Sequence, residues 1–109
     1  YDAYYGKAMA LKRAIKNEFI KAFNDVDIIL LPTTPALPFK FGEKSNDPLA
    51  MYLEDLFTAP GNITGAPGIS VPVNVSGSNL PVGIQAYASH FNEEHLFIIG
   101  RDIEKLNNK

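Results

Sequence analysis

Cysteine is missing from all 109 residues, which excludes a disulfide framework and any thiolate-based zinc or redox site, and fits a reducing cytosol. An excess of one charge is missing too: ten basic residues face twelve acidic ones, a formal net charge of -2. Nucleic-acid binders carry a basic face that neutralises phosphates, so a direct grip on tRNA or DNA is not expected. No apolar run approaches the roughly 20 residues that cross a bilayer, and the start has no charged segment followed by an apolar stretch of the secretory kind. The expectation is a soluble, cytoplasmic protein. Repeats, low-complexity segments and breaks in composition are also absent, so 1–109 reads as one unit without an internal boundary.

Several chemistries lack their residues. A self-contained hydrolase needs a nucleophile, a base and an oxyanion hole. Gly68-Ile69-Ser70-Val71-Pro72 is superficially like a nucleophile elbow, but Pro72 stands where the final Gly belongs and Ser70 falls inside a strand pattern instead of a strand-to-helix turn. His90 and His95 are the two histidines, and HFNEEH is not the HExxH order that brings two imidazoles onto one zinc. No metal site is therefore expected. Neither a GxxxxGK[ST] loop nor a GxGxxG fingerprint occurs, so nucleotide binding has no support.

What is present is the material of an α/β unit. The 46% hydrophobic content suffices for a core. Tyr1 rather than Met stands first and already leads into a helix, so the chain is read as a segment of a longer polypeptide. From Asp2, read as the N-cap, to about Phe23, the residues Tyr4, Ala8, Leu11, Ile15, Phe19 and Ala22 align on one helical stripe. The basic residues between them are read as a solvated face, with a partner-binding face as the alternative. Val26 to Leu31 is a short apolar run of the kind found in strands covered on both faces, ended by Pro32. Thr33-Thr34-Pro35 follows at that strand's carboxyl end, where ligands tend to sit in open α/β sheets, but a Pro-stiffened turn whose hydroxyls cap nearby backbone is the favoured reading. Residues 36–46 read as a loop.

The densest stretch is Asp47 to Gln85. Asp47 is suited to cap a helix with Pro48 at its first position, running through Phe57, and Pro60-Gly61 is expected to stop it. Asp55 shares a face of that helix with Met51 and Tyr52. It is either a surface acid or a functional one, and its place near the helix C-terminus, where a negative charge opposes the macrodipole, favours function. Gly65-Ala66-Pro67-Gly68 makes a tight approach. Ile69 to Val75 alternates as a strand in which Pro72, lacking an amide proton, indicates an edge position or a bulge, and Pro81 to Ala88 is read as its adjacent antiparallel neighbour. Asn92 caps a last helix with a core stripe of Leu96, Ile99, Ile103 and Leu106, while His95 decorates its start and Asn107-Asn108-Lys109 frays.

Taken together, DIILLPTTP at Asp27 to Pro35, GEKSNDPLAMYLEDLFT at Gly42 to Thr58, GAPGISVPV at Gly65 to Val73 and LPVGIQ at Leu80 to Gln85 resemble the C-terminal part of the amidase-signature family. DPLxMYxxD followed by Thr and Pro points to the branch that supplies the A subunit of tRNA-dependent amidotransferases. The resemblance implies a larger α/β protein with a mixed sheet flanked by helices, a catalytic Ser, a bridging Ser in a cis peptide and a Lys base. Those three have no counterpart among these residues, so no catalytic residue is assigned and the chain alone is expected to be inactive. In that family the acid matching Asp55 contacts the α-ammonium of glutamine, which makes Asp55 the candidate substrate-binding residue. The implied reaction is attack by the Ser on the glutamine carboxamide, release of ammonia, and hydrolysis of the acyl-enzyme. Ammonia would pass to a B subunit that uses ATP and magnesium and holds most of the tRNA contact, with a small C subunit bracing the pair. No cofactor is expected in this chain. The sequence departs from the family's usual pattern at Gly61, and at Thr64 and Ala66, which replace Ala and Leu in the motif NLAGLP. Two alternatives are another amide hydrolase of the same family and a non-catalytic assembly module.

Overall fold

The computed structural model describes residues 2–108. Seven elements follow in order: α1 (Asp2–Ala22), β1 (Ile28–Pro32), α2 (Pro48–Glu54), α3 (Ala59–Thr64), β2 (Gly68–Val73), β3 (Val82–Ala88) and α4 (Glu93–Asn107). The strands form one sheet in the order β1-β3-β2, with β3 antiparallel to both neighbours. Of the two readings of Pro72 the edge holds: β2 is an outer strand of the sheet, where no second ladder needs the missing amide proton.

Side chains alternate across the sheet, so its two faces differ in chemistry. One presents Ile28, Ile69, Val71, Ala86 and Ala88, and α4 packs on it with Leu96 4% exposed and Ile99 beside it. A Cβ at the buried Gly100 would stand 3.2 Å from Ile69 Cδ1, and the inner face of α4 comprises Leu96, Ile99, Gly100 and Ile103, with Asn107 half-buried at its end. Leu106, expected in the core stripe, is 68% exposed. Asn107, expected to fray, instead accepts the Asn74 amide hydrogen at its Oδ1 over 2.6 Å and ties the end of α4 to the end of β2. Lys109 lies outside the described residues.

The opposite face is covered by α1 and α3. Phe19 meets Tyr87 edge-on, 5.9 Å between ring centroids, and α1 packs along α3. The contact involves only the later turns of α1, where Ile15, Phe19 and Ala22 are half-buried, while Tyr4 is 84% exposed. Periodicity identified a shared face; it carried no information on what covers it. Asp2 sits within the first turn of α1 instead of capping it. β1 also departs from expectation: α4 reaches chiefly β2 and β3, which leaves Leu30 52% exposed instead of covered.

At α2, Asp47 Oδ1 accepts the Ala50 amide hydrogen at 3.1 Å and Pro48 opens the helix. Asp47→Ala should cost about 1 kcal/mol, read as a lower midpoint in urea unfolding. The helix stops at Glu54 rather than continuing to Phe57, with Asp55 as its C-cap. Three-residue turns follow: Leu56 N–H donates to Leu53 O, and Thr58 N–H to Asp55 O. A second short helix, α3, then begins, so Pro60 and Gly61 start a helix instead of ending one. Proline is tolerated in a first turn because no intrahelical partner awaits its amide there. Gly65 closes α3 with φ +72, a left-handed conformation that glycine adopts without a steric penalty.

Candidate functional site

The face covered by α1 and α3 is polar along β3. Gly83, Gln85 and Tyr87 point to the side that carries Pro72, Ser70 and Gly68 from β2, as the register Pro72↔Gly83, Ser70↔Gln85 and Gly68↔Tyr87 dictates. Thr33, just past β1, donates its N–H to Gly83 O at 3.0 Å, and its Oγ1 lies 2.7 Å from Ser70 Oγ. Gly83 makes room for this hydroxyl pair, since a Cβ there would stand 2.7 Å from Thr33 Oγ1. Two hollows meet at the pair. One, of about 320 Å³, is bounded by Thr58, Gly61, Asn62, Gln85 and Tyr87, and the other, of about 440 Å³, by Thr34, Leu37, Phe39, Glu54 and Pro72.

Gln85 and Tyr87 are each 5% exposed. Gln85 Nε2 donates to Phe57 O at 2.7 Å and reaches Pro32 O at 3.3 Å, while Tyr87 Oη donates to Phe57 O at 3.0 Å. Burial pushes the Tyr87 phenol above its usual pKa of 10.0, and the Gly61 backbone amide directed at it pulls it partly back. The neutral hydroxyl that donates to Phe57 is thus the form the fold favours. Packing around this ring is close: a Cβ on Gly61 would come within 2.6 Å of Tyr87 Cε1, and one on Gly68 within 2.9 Å. Thr64, at another position that departs from the family pattern, is buried with its hydroxyl donating to Pro60 O at 2.8 Å and accepting from Ala66 N at 3.2 Å.

Asp55 lies in the turn that these bonds anchor, two residues before Phe57. Its side chain is exposed and has no hydrogen-bond or ion-pair partner among the described residues, and it stands outside the lining of both hollows. Its neighbour Glu54 differs. The Glu54 carboxylate is paired with Lys44, both side chains are largely buried, and the Lys44 ammonium stands 4.7 Å from the centre of the Phe39 ring. Of two adjacent acids, one is committed to the protein and one is available.

The other candidates from the sequence are dispersed. Ser70 lies within β2 and bonds to Thr33. His90 borders one hollow together with Phe19, Phe23 and Ala66, whereas His95, in the first turn of α4, borders another together with Asp27 and Asp102. Among the described residues no three His, Asp or Glu side chains are grouped to hold a metal ion, and no helix is long and apolar enough to cross a membrane. Sequence reasoning missed Gln85 and Tyr87 as anchors. The available signal was two polar residues at alternate positions of an otherwise apolar strand.

Residues 1–97 match the model of a family described as Amidase. The chain is 51% identical over 105 residues to the second A subunit of glutamyl-tRNA(Gln) amidotransferase in Clostridium acetobutylicum, covering 96% of this chain and 22% of that protein. To the A subunit of the glutamyl-tRNA(Gln) amidotransferase of Thermoanaerobacter pseudethanolicus it is 49% identical over 107 residues, covering 98% and 22%. The fold matches the crystal structure of the corresponding A subunit from Thermotoga maritima with a TM-score of 0.89 at 47% identity, over 96% of this chain and 23% of that one. A chain from a complex related to an s-triazine catabolic enzyme has the same fold, with a TM-score of 0.83 at 22% identity over 97% and 24%. The chain spans just over a fifth of the length of the curated relatives it matches.

Proposed function

The chain belongs to the amidase family, and from that premise we propose that it works within the glutamine-hydrolysing A subunit of a tRNA-dependent amidotransferase, where it forms part of the wall of the glutamine pocket. The observation that carries the reading is the free Asp55 carboxylate beside the committed Glu54. A carboxylate without a protein partner, on a turn anchored to a rigid sheet, is suited to a charge-assisted hydrogen bond with the α-ammonium of an amino-acid substrate. A substrate that lacks the ammonium cannot reproduce that bond, so the contact also selects.

In this reading the reacting Ser, bridging Ser and Lys come from outside these residues, and the chain contributes substrate position instead of bond-making. Ammonia released from glutamine would serve a partner B subunit, with ATP and magnesium held there, a C subunit bracing the pair, and Glu-tRNA(Gln) as the final acceptor. The balanced charge of this chain supports leaving most of the tRNA contact to the partner, and the complex would work in the cytoplasm.

Asp55→Asn in the complete enzyme tests the assignment. The substitution keeps the shape and removes the charge, and the loss of one partner from a desolvated charge pair typically costs about 3 to 5 kcal/mol. The expected result is a KM for glutamine raised by at least about 100-fold, with little change in the urea midpoint because the side chain is exposed in this chain. An unchanged KM would remove Asp55 from the substrate site. Ammonia release by this chain beside the complete protein checks the remainder: activity is expected only from the latter.

A further inference from the structure

Two buried donors from the central strand converge on one carbonyl outside the sheet. Gln85 Nε2 and Tyr87 Oη both donate to Phe57 O, at 2.7 Å and 3.0 Å. A backbone carbonyl has two lone pairs, so this acceptor is fully occupied. The Asp55 carbonyl closes the same turn by accepting the amide hydrogens of Thr58 at 3.2 Å and Ala59 at 3.0 Å. α2 has already ended at Glu54, and the two bonds to Phe57 O attach the turn that follows directly to β3. Gln85 also reaches Pro32 O, which links the clamp to β1 just before Thr33.

We infer that Gln85 and Tyr87 are positioning residues which, by clamping the Phe57 carbonyl, set where the Asp55 carboxylate stands for the substrate ammonium. The inference rests on the proposed role of Asp55. Its physical basis is that a displacement of about 1 Å at a binding group can cost as much as 100-fold even when the group itself is intact. Neither residue touches the substrate in this arrangement; both act through two residues of backbone.

KM and kcat for glutamine, measured in the complete enzyme for Tyr87→Phe, Gln85→Leu, Asp55→Asn and the double variant Tyr87→Phe/Asp55→Asn, provide the test. Tyr87→Phe removes a single hydroxyl while the ring stays packed on Phe19, so it remains informative if Gln85→Leu does not fold. The expected result is that Tyr87→Phe raises KM about three- to tenfold, by a larger factor than it lowers kcat. In the Asp55→Asn background the same change should alter KM by less than about twofold, because a missing carboxylate cannot be misplaced. If Asp55→Asn raises KM while Tyr87→Phe leaves it unchanged, or if the two effects multiply independently, the clamp is structural only and the inference is overturned with the role of Asp55 intact. If Asp55→Asn leaves KM unchanged, the role of Asp55 falls and the inference falls with it.

Discussion

Leu96→Ala is expected to destabilise the protein by about 2 to 5 kcal/mol, the range for deleting a buried leucine side chain beyond Cβ. Leu96 is 4% exposed and sits over Ala86 and Ala88, with Ile28, Ile69 and Ile99 around it. The two alanines are already minimal and belong to the central strand, so neither can move in to fill the space. The cost therefore includes a cavity as well as lost transfer free energy, and the upper half of the range is the better expectation. Leu106→Ala on the same helix is the control. That side chain is 68% exposed, and its loss should change stability by less than about 0.5 kcal/mol. Urea unfolding of the two variants beside the wild type decides the matter, and equal effects would mean that α4 does not seat on the sheet as described.

Gly61→Ala should destabilise through the opposite fault. The added Cβ would stand 2.6 Å from Tyr87 Cε1 and 2.9 Å from the phenol oxygen. The ring cannot swing aside freely, since its hydroxyl is bonded to Phe57 O and its edge faces Phe19. Overpacking of this kind costs about 1 to 3 kcal/mol, against which alanine regains up to about 1 kcal/mol of helix propensity in α3. Trimming the ring provides the check: in Gly61→Ala/Tyr87→Leu the two changes should cost less than their sum by at least about 0.5 kcal/mol, because each removes the reason for the other's effect. Strict additivity in urea unfolding would show that the ring and the glycine do not compete for the same space.

These two positions also mark what the sequence could and could not disclose. Elements with strong local punctuation were legible: Asp47-Pro48 opens α2, Pro72 keeps β2 at an edge, and Leu96 with Ile99 marks the inner face of α4. Less legible were features fixed by contacts between distant residues. The expected helix from Pro48 to Phe57 breaks at Glu54, and the Phe57 carbonyl serves side chains on β3. Local propensity contains nothing of that partnership. Likewise Gly61 read as a helix stop until the Tyr87 ring supplied the reason for its missing side chain. Asp55 could be singled out as an acid opposed to the helix dipole, but its contrast with Glu54 depends on Lys44, whose approach comes from an irregular loop.

The strand order also predicts a sequence of events in time. Val73 and Val82 are joined by the loop 74–81, whereas Pro32 meets Ile84 only after α2, α3 and β2 have been traversed. Closing the longer loop costs about 1.5 kcal/mol more in chain entropy. The β2–β3 hairpin, with α4 next in the chain to cover it, is therefore expected to assemble first, with β1 added to its edge. Substitutions in β3 should slow folding, while those in β1 should chiefly hasten unfolding. The loop that brings Thr33 to Ser70 is thus expected to dock after the hairpin that carries Ser70, and its hydroxyl pair with it.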